Sequence, residues 1–183
     1  MGSPGPIIAC AMSETLLTAT KFRVERRWLE LPGRGAVARE LVVHPGAVLI
    51  LPLLDADTVV MIRNQRFAVG EELLELPAGT LEPGEEPAAC ALRELEEETG
   101  YVAAHLEPLC EFYTSPGFTD EMMHAFVATG LTATRQRLDA TEQIRVQTMP
   151  LADALDATAD GRIKDGKTIA ALQVHRHTRV KKP

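Results

Sequence analysis

One helix in this chain carries marks at both of its ends, and its contents constrain whatever folds around it. Pro87 suits a first helical position, where the missing N–H costs nothing, and Glu85 and Glu86 sit near the positive end of the helix dipole. Gly100 suits the C-terminal cap, where a left-handed backbone is commonly needed. Ala88, Ala91, Leu92 and Leu95 fall at i, i+3, i+4 and i+7, the spacing of an apolar stripe that packs on a core. The other positions are crowded with acid. Glu94 and Glu98 are one turn apart on one face, with roughly 5–6 Å between Cβ atoms, and Glu97 stands beside them. Like charges so placed destabilise a bare helix, so the pattern calls for a cation. Oxygen-only donors suit a hard divalent ion rather than zinc. Arg93 is placed to pair with Glu85 or Glu97, while Glu82, Glu86 and Glu96 read as solvated surface acids.

The acids matter more because the chain as a whole is acidic, with a formal net charge of −7. That balance argues against a nucleic-acid partner, since neutralising phosphates needs clustered Lys and Arg. The basic cluster from His175 to Lys182 reads as a solvated tail, assigned to residues 177–183. At 183 residues, 45% hydrophobic and 25% charged, the chain is expected to form one globular domain with a proper core. Cys10, Cys90 and Cys110 form no CxxC pair and have no close His, so neither a zinc site nor a disulfide framework is indicated; a cytoplasmic setting follows. No apolar run approaches the ~20 residues that span a bilayer, and the first residues lack the pattern of a secretion signal. Residues 1–15 are expected to lack fixed structure.

Thr18 to Leu31 alternates loosely up to the turn signal Pro32-Gly33, which predicts a strand entering a hairpin with Ala36 to His44 as its partner. Gly46 to Leu54 is almost wholly apolar and predicts a central buried strand. Thr58 to Asn64 follows after Asp55-Ala56-Asp57 with hairpin spacing. Further strands are expected at Leu73–Leu76, Leu106–Tyr113, Glu121–Gly130 and Gln143–Met149, with helices at Leu151–Ala159 and Lys167–Val174. Strands around one early helix, with helices at the end, point to an α/β sandwich with mixed sheets.

The acidic helix belongs to a longer pattern. Gly79, five residues, Glu85, seven residues, then Arg93-Glu94-Leu95, any residue, Glu97-Glu98, any residue, Gly100 resembles the signature of the Nudix hydrolases. One position departs: the residue after the last glycine is usually aliphatic in that family and is Tyr101 here. The resemblance implies a Nudix-type α/β/α sandwich with mixed β-sheets, preceded by an N-terminal strand hairpin, the whole covering residues 16–176 with the extra strands at about 16–44. It implies hydrolysis of a nucleoside diphosphate linked to another group, with Mg2+ (or Mn2+) as cofactor. By position in the motif, Glu94 and Glu98 are expected metal ligands, Glu97 a further ligand or a proton acceptor, and the Ala78 carbonyl another ligand. Gly79 would let the chain approach the metal closely. Arg93 is expected to hold a carboxylate in place.

Related enzymes often place two more acids, one residue apart, in a downstream loop. Asp139-Ala140-Thr141-Glu142 is the candidate, and with Ala140 present one of the two is absent. Asp139, Glu142 and Glu97 all stay open as the base. Pro116, 16 residues beyond Gly100 in Ser115-Pro116-Gly117, resembles the ADP-ribose pyrophosphatase subgroup, where an acid matching Glu121 hydrogen-bonds ribose hydroxyls. Arg39 and Glu40 resemble the segment reaching the adenosine end, and Arg63 and Arg66 the arginines that meet the diphosphate, a role suited to bidentate guanidinium. Trp28, the sole tryptophan, is either an adenine-stacking surface or a core or dimer contact.

The resemblance therefore implies Mg2+-dependent cleavage of ADP-ribose to AMP and ribose 5-phosphate by a homodimer with exchanged N-terminal strands. Its alternatives are another nucleoside diphosphate sugar such as GDP-mannose, or a non-catalytic ADP-ribose-binding module. A nucleic acid or membrane partner is not expected.

Overall fold

The computed structural model describes residues 10–180. In chain order the elements are β1 (Cys10–Thr18), β2 (Arg23–Leu31), β3 (Gly35–Val43), β4 (Ala47–Pro52), β5 (Thr58–Arg66), β6 (Glu71–Glu75), β7 (Ala78–Thr80), α1 (Pro87–Thr99), β8 (Tyr101–Tyr113), β9 (Met122–Ala133), β10 (Ile144–Pro150), α2 (Leu151–Ala159) and α3 (Gly166–Val180). Where the sequence suggested one domain, the described residues divide into two compact units, 10–45 with 113–121 and 46–112 with 122–180.

The first unit is the antiparallel sheet β1-β2-β3 with the 113–121 segment alongside β3. The β2–β3 hairpin closes at Pro32-Gly33-Arg34, where Arg34 N–H reaches the Leu31 carbonyl at 3.0 Å and Gly33 takes φ 75°. The expected strand Thr18–Leu31 is two strands. The Ala19 N–H bonds the Phe22 carbonyl at 2.9 Å, a turn that loose alternation did not reveal. Residues 10–15, expected to lack structure, are strand because β2 offers them a paired edge, with Ser13 opposite Arg27 and Glu14 opposite Arg26. Residues 1–9 of that expectation lie outside the described ones. The 113–121 segment is tied to β3 by Val42 N–H to Phe118 O at 2.8 Å and Asp120 N–H to Val42 O at 3.3 Å.

The second unit is built on β4, every residue of which is buried. Alternation along it feeds two cores. Leu49 and Leu51 join Val59, Met61, Leu74, Leu76 and the apolar residues of α2 and α3. Val48 and Ile50 join Cys90, Ala91 and Leu95 of α1 with Phe126 and Ala128 of β9. A strand buried on both faces needs no polar alternation, which is why Gly46–Leu54 reads as a continuous apolar run. Its neighbours are not those the hairpin spacing suggested. β4 pairs antiparallel with β7 and parallel with β9, with β8 beyond it in the order β7-β4-β9-β8. β5 lies in a separate sheet, β10-β5-β6; its backbone meets the chain just after β4 at the Leu53–Val59 bridge, and its side chains Val59 and Met61 share a core with Leu49 and Leu51. The mixed-sheet α/β architecture stands as expected.

α1 starts and stops where its sequence says. Pro87 opens it after the extended Glu86, and Gly100 closes it at φ 69° with its N–H on the Glu96 carbonyl. The stripe is rotated, however. Ala88 and Leu92 are exposed, while Cys90, Ala91, Leu95, Glu98 and Thr99 are buried. Full burial of Leu95 alone contributes about 2 kcal/mol. α3 runs past Val174 to Val180, so residues 177–180 of the expected tail are helical, and Arg179 donates to the Ala56 carbonyl at 2.8 Å. Residues 181–183 lie outside the described ones.

Candidate metal-dependent hydrolase site

Within the second unit, α1 turns its acids toward the short strand β7. The Ala78 N–H donates to Glu98 Oε2 at 2.9 Å. A Cβ at Gly79 would lie 1.9 Å from Glu94 Cδ, so only glycine leaves room for that carboxylate. The Gly79 φ is not positive, so space rather than backbone conformation decides its identity. The far end of α1 is held by the chain after β9. Gln136 Nε2 donates to the Glu98 carbonyl at 2.6 Å and Arg137 N–H to the Glu97 carbonyl at 2.9 Å, filling acceptors that a helix end leaves open.

Arg93 organises the acid cluster. Its Nε and Nη2 meet both Glu85 oxygens at 2.9 Å, a two-pronged pair, while Nη1 reaches Glu94 at 2.8 Å and Glu97 at 3.1 Å. Its hydrogen bonds to Glu85 hold that carboxyl down to about 2. Glu98 behaves oppositely. It is only 3% exposed, and burial first, with the charges of Glu94 and Glu142 in addition, pushes it up to about 8. Burial likewise raises Glu94, again with Glu142 among the contributing charges. Glu142 is thus drawn into the electrostatics of the helix acids. Its carboxylate accepts the Asp139 N–H at 3.0 Å, closing the turn before β10.

Buried carboxylates that raise one another are what a hard cation relieves, and the donors are all oxygen. The residues fit a divalent metal in chemistry. Among the described residues, though, no three acidic, histidine or cysteine groups are gathered into a cation cage in this conformation. In this conformation Arg93 bridges Glu94 and Glu97.

Arg63 and Arg66 are an odd number of residues apart on β5 and so face opposite sides of the strand. Arg66 forks onto the fully buried Glu75, Nε at 2.9 Å and Nη2 at 2.6 Å, and its charge acts on Glu98. Arg63 donates to Gln147 at 2.9 Å and lines an open cavity of about 280 Å³ with Arg145, Val146 and Gln147.

The remaining candidates belong to the first unit. Half-buried Trp28 lies on β2 opposite Ala38. Exposed Arg39 turns back onto the Ala38 carbonyl at 2.8 Å, and Glu40 pairs with Arg26 at 2.8 Å. Exposed Pro116 forms the loop in which Thr114 Oγ1 donates to Glu121 at 2.5 Å, with His44 Nε2 3.8 Å from the same carboxylate.

Residues 43–172 match the family described as NUDIX domain. The chain belongs to the Nudix family. Among similar proteins, the ADP-ribose pyrophosphatase of Bacillus subtilis is 44% identical over 147 residues, covering 79% of this chain and 80% of that protein. The methanol dehydrogenase activator of Bacillus methanolicus is 42% identical over 163 residues, covering 88% of each. A GDP-mannose pyrophosphatase of Citrobacter koseri is 38% identical over 136 residues, covering 69% of this chain and 71% of that protein. The crystal structure of an ADP compounds hydrolase aligns with a TM-score of 0.79 at 26% identity over 96% of both chains. With the signature acids and Arg93 all present, the chain is a Nudix hydrolase, and the binding-module alternative falls away. No helix among the described residues is long and apolar enough to cross a membrane.

Sequence reasoning missed Glu75, Asp165, Lys167 and Thr168, which surround Arg66 and the approach to Ala78. Their signal is one of long-range contact, which local spacing does not carry. Gln136 is similar, being a polar residue in an irregular stretch with no motif of its own.

Proposed function

We propose that this Nudix hydrolase cleaves the pyrophosphate bond of ADP-ribose to AMP and ribose 5-phosphate, with Mg2+ as cofactor and Mn2+ as a substitute. The observation that carries the reading is the buried Glu98 carboxylate, braced by Ala78 N–H and crowded by the charges of Glu94 and Glu142. The names of the B. subtilis relative and the aligned hydrolase support the choice of substrate.

Glu94, Glu98 and the Ala78 carbonyl would hold the metal, with Glu97 joining on release from Arg93. A divalent cation there supplies charge neutralisation for the diphosphate and lowers the pKa of a coordinated water. Arg66 offers its guanidinium to the diphosphate. Glu142 accepts the proton of the attacking water: it lies in the electrostatic reach of both helix acids, whereas Glu97 is engaged by Arg93. Arg93 orients Glu94 and Glu97 from its anchor on Glu85. For Trp28, Arg39, Glu40, Pro116 and Glu121 we propose the adenosine and ribose contacts that the family resemblance implies. A homodimer formed through the N-terminal strands fits the exposure of Met12, Leu16, Leu17 and Phe22 on or beside β1. We place the enzyme in the cytoplasm.

AMP release from ADP-ribose, followed with and without Mg2+, tests the proposal. A second reading, cleavage of GDP-mannose, is favoured by the C. koseri relative. A higher kcat/KM for GDP-mannose than for ADP-ribose would replace the first reading with the second.

A further inference from the structure

The first turn of α3 grips the chain that leads into the site. Asp165 caps the helix: its Oδ2 accepts the Thr168 N–H at 3.0 Å and the Thr168 hydroxyl at 2.5 Å. The same hydroxyl oxygen accepts the Leu76 N–H at 2.9 Å. Asp165 Oδ1 takes Lys167 Nζ at 2.7 Å, and Lys167 Nζ also reaches Glu75 Oε2 at 3.1 Å. Glu75 and Thr168 are each 0% exposed. Leu76 and Glu75 lie just before Pro77 and Ala78, and Ala78 holds Glu98 through its N–H. Glu75 holds Arg66 through two prongs.

Two chains of contact therefore leave one helix turn. One runs Asp165, Thr168, Leu76 and on through Pro77 to Ala78. The other runs Lys167, Glu75, Arg66. A solvated surface cluster would need neither buried Glu75 nor buried Thr168, and a residue serving only to start α3 would not reach across to a strand 92 residues earlier.

We infer that Thr168 and Lys167 are positioning residues for the hydrolytic reaction, Thr168 setting the backbone that carries the Ala78 metal-facing carbonyl and Lys167 setting Arg66 through Glu75. The inference rests on the metal and diphosphate roles assigned above. It predicts two different phenotypes. Thr168→Val keeps the shape and deletes the hydroxyl, so the Leu76–Ala78 segment loosens and metal binding weakens roughly 10- to 100-fold. Lys167→Met leaves Glu75 and Arg66 paired but unanchored, so KM for the diphosphate substrate rises several-fold, about tenfold at most, while Mn2+ affinity stays as in the unaltered protein.

Full-length variants are compared by Mn2+ titration, read by electron paramagnetic resonance without substrate, and by kcat and KM at saturating Mg2+ well below the melting temperature. Thr168→Ser and Lys167→Arg are the conservative controls and are expected to restore the respective property. Thr168→Val with unchanged Mn2+ affinity, or Lys167→Met with unchanged KM, overturns the inference even if both melt earlier, because that pattern is plain structural support. Failure of the functional reading looks different. The unaltered protein would then release no AMP, while the Mn2+ titration of Thr168→Val against Thr168→Ser still decides whether the clamp governs the metal-facing backbone.

Discussion

The two units of this protein spend their side chains differently. In the β1-β2-β3 sheet the organised features are charge ladders: Glu14, Arg26 and Glu40 stand opposite one another across three strands, and Glu25 is gripped by Arg23 at 2.5 Å and Arg27 at 2.8 Å. Large apolar residues there point to solvent, with Met12 56% and Leu17 54% exposed. In the second unit β4 is buried on both faces, and α1 turns even one of its acids, Glu98, inward. The family match begins at residue 43, so the ladder-built sheet falls almost wholly outside it. The contrast teaches that the core-rich unit can carry unfavourable chemistry, a buried Glu98 and a crowded acid cluster, because hydrophobic burial around it is large. The sheet has no such reserve and leaves large apolar side chains in solvent.

The contrast is open to breakage, beginning with its strongest element. Glu98→Gln should cut turnover by roughly 10²–10³ while leaving the melting temperature close to that of the unaltered protein, since the amide oxygen keeps the Ala78 bond and no charge is buried. Near-normal hydrolysis at saturating Mg2+ would remove Glu98 from the metal site. Leu95→Ala, in the core beside it, should lower unfolding free energy by about 3 kcal/mol in urea titration. A loss below 1 kcal/mol would show that α1 is held by its polar contacts instead.

A smaller effect concerns pH. Burial, with the charge of Arg179 beside it, holds His175 below its ordinary range, and among the described residues its Nε2 has no hydrogen-bond partner. The folded state therefore binds that proton less readily than the unfolded chain. The stability that His175 contributes is fully present above about pH 6.5, the unfolded value, and is lost as pH falls from there through the folded value, while buried Glu98, pushed up to about 8, works the opposite way across the same range. His175→Leu should raise the urea midpoint at pH 5.5 relative to that at pH 7.5, compared with the same pair of midpoints in the unaltered protein; an unchanged pair would acquit this residue. The smallest expected change is Leu17→Ser in β1, within about 0.5 kcal/mol for an isolated subunit. A larger loss that grows with protein concentration would show that Leu17 is covered by a second copy.

Much of this was legible because it is local. Pro87, Gly100 and the apolar run at β4 act through backbone preference and burial of neighbours in sequence, so their elements fall where expected. The rotated stripe on α1 was not legible. Counting apolar residues selects Leu92 for the core and puts Glu98 outside, yet Leu92 is 42% exposed and Glu98 3%. Glu98 is turned inward by the Ala78 N–H, a partner 20 residues away. Asp55-Ala56-Asp57 likewise looked like a hairpin, but β4 pairs along its edges with β7 and β9 while its two faces are buried in two cores, and β5 belongs to another sheet.

By itself the sequence determined the helix, its caps, the residue types at the acid cluster and hence the family, because each of these depends on spacing within a few turns. Only the tertiary structure decided that Glu98 turns onto the Ala78 N–H, that Arg66 leans on a Glu75 itself held by Lys167, and that α3 secures the approach to Ala78. Such contacts join residues far apart in the chain, where the choice of partner is set by how whole elements pack and not by any preference that a short stretch of residues carries.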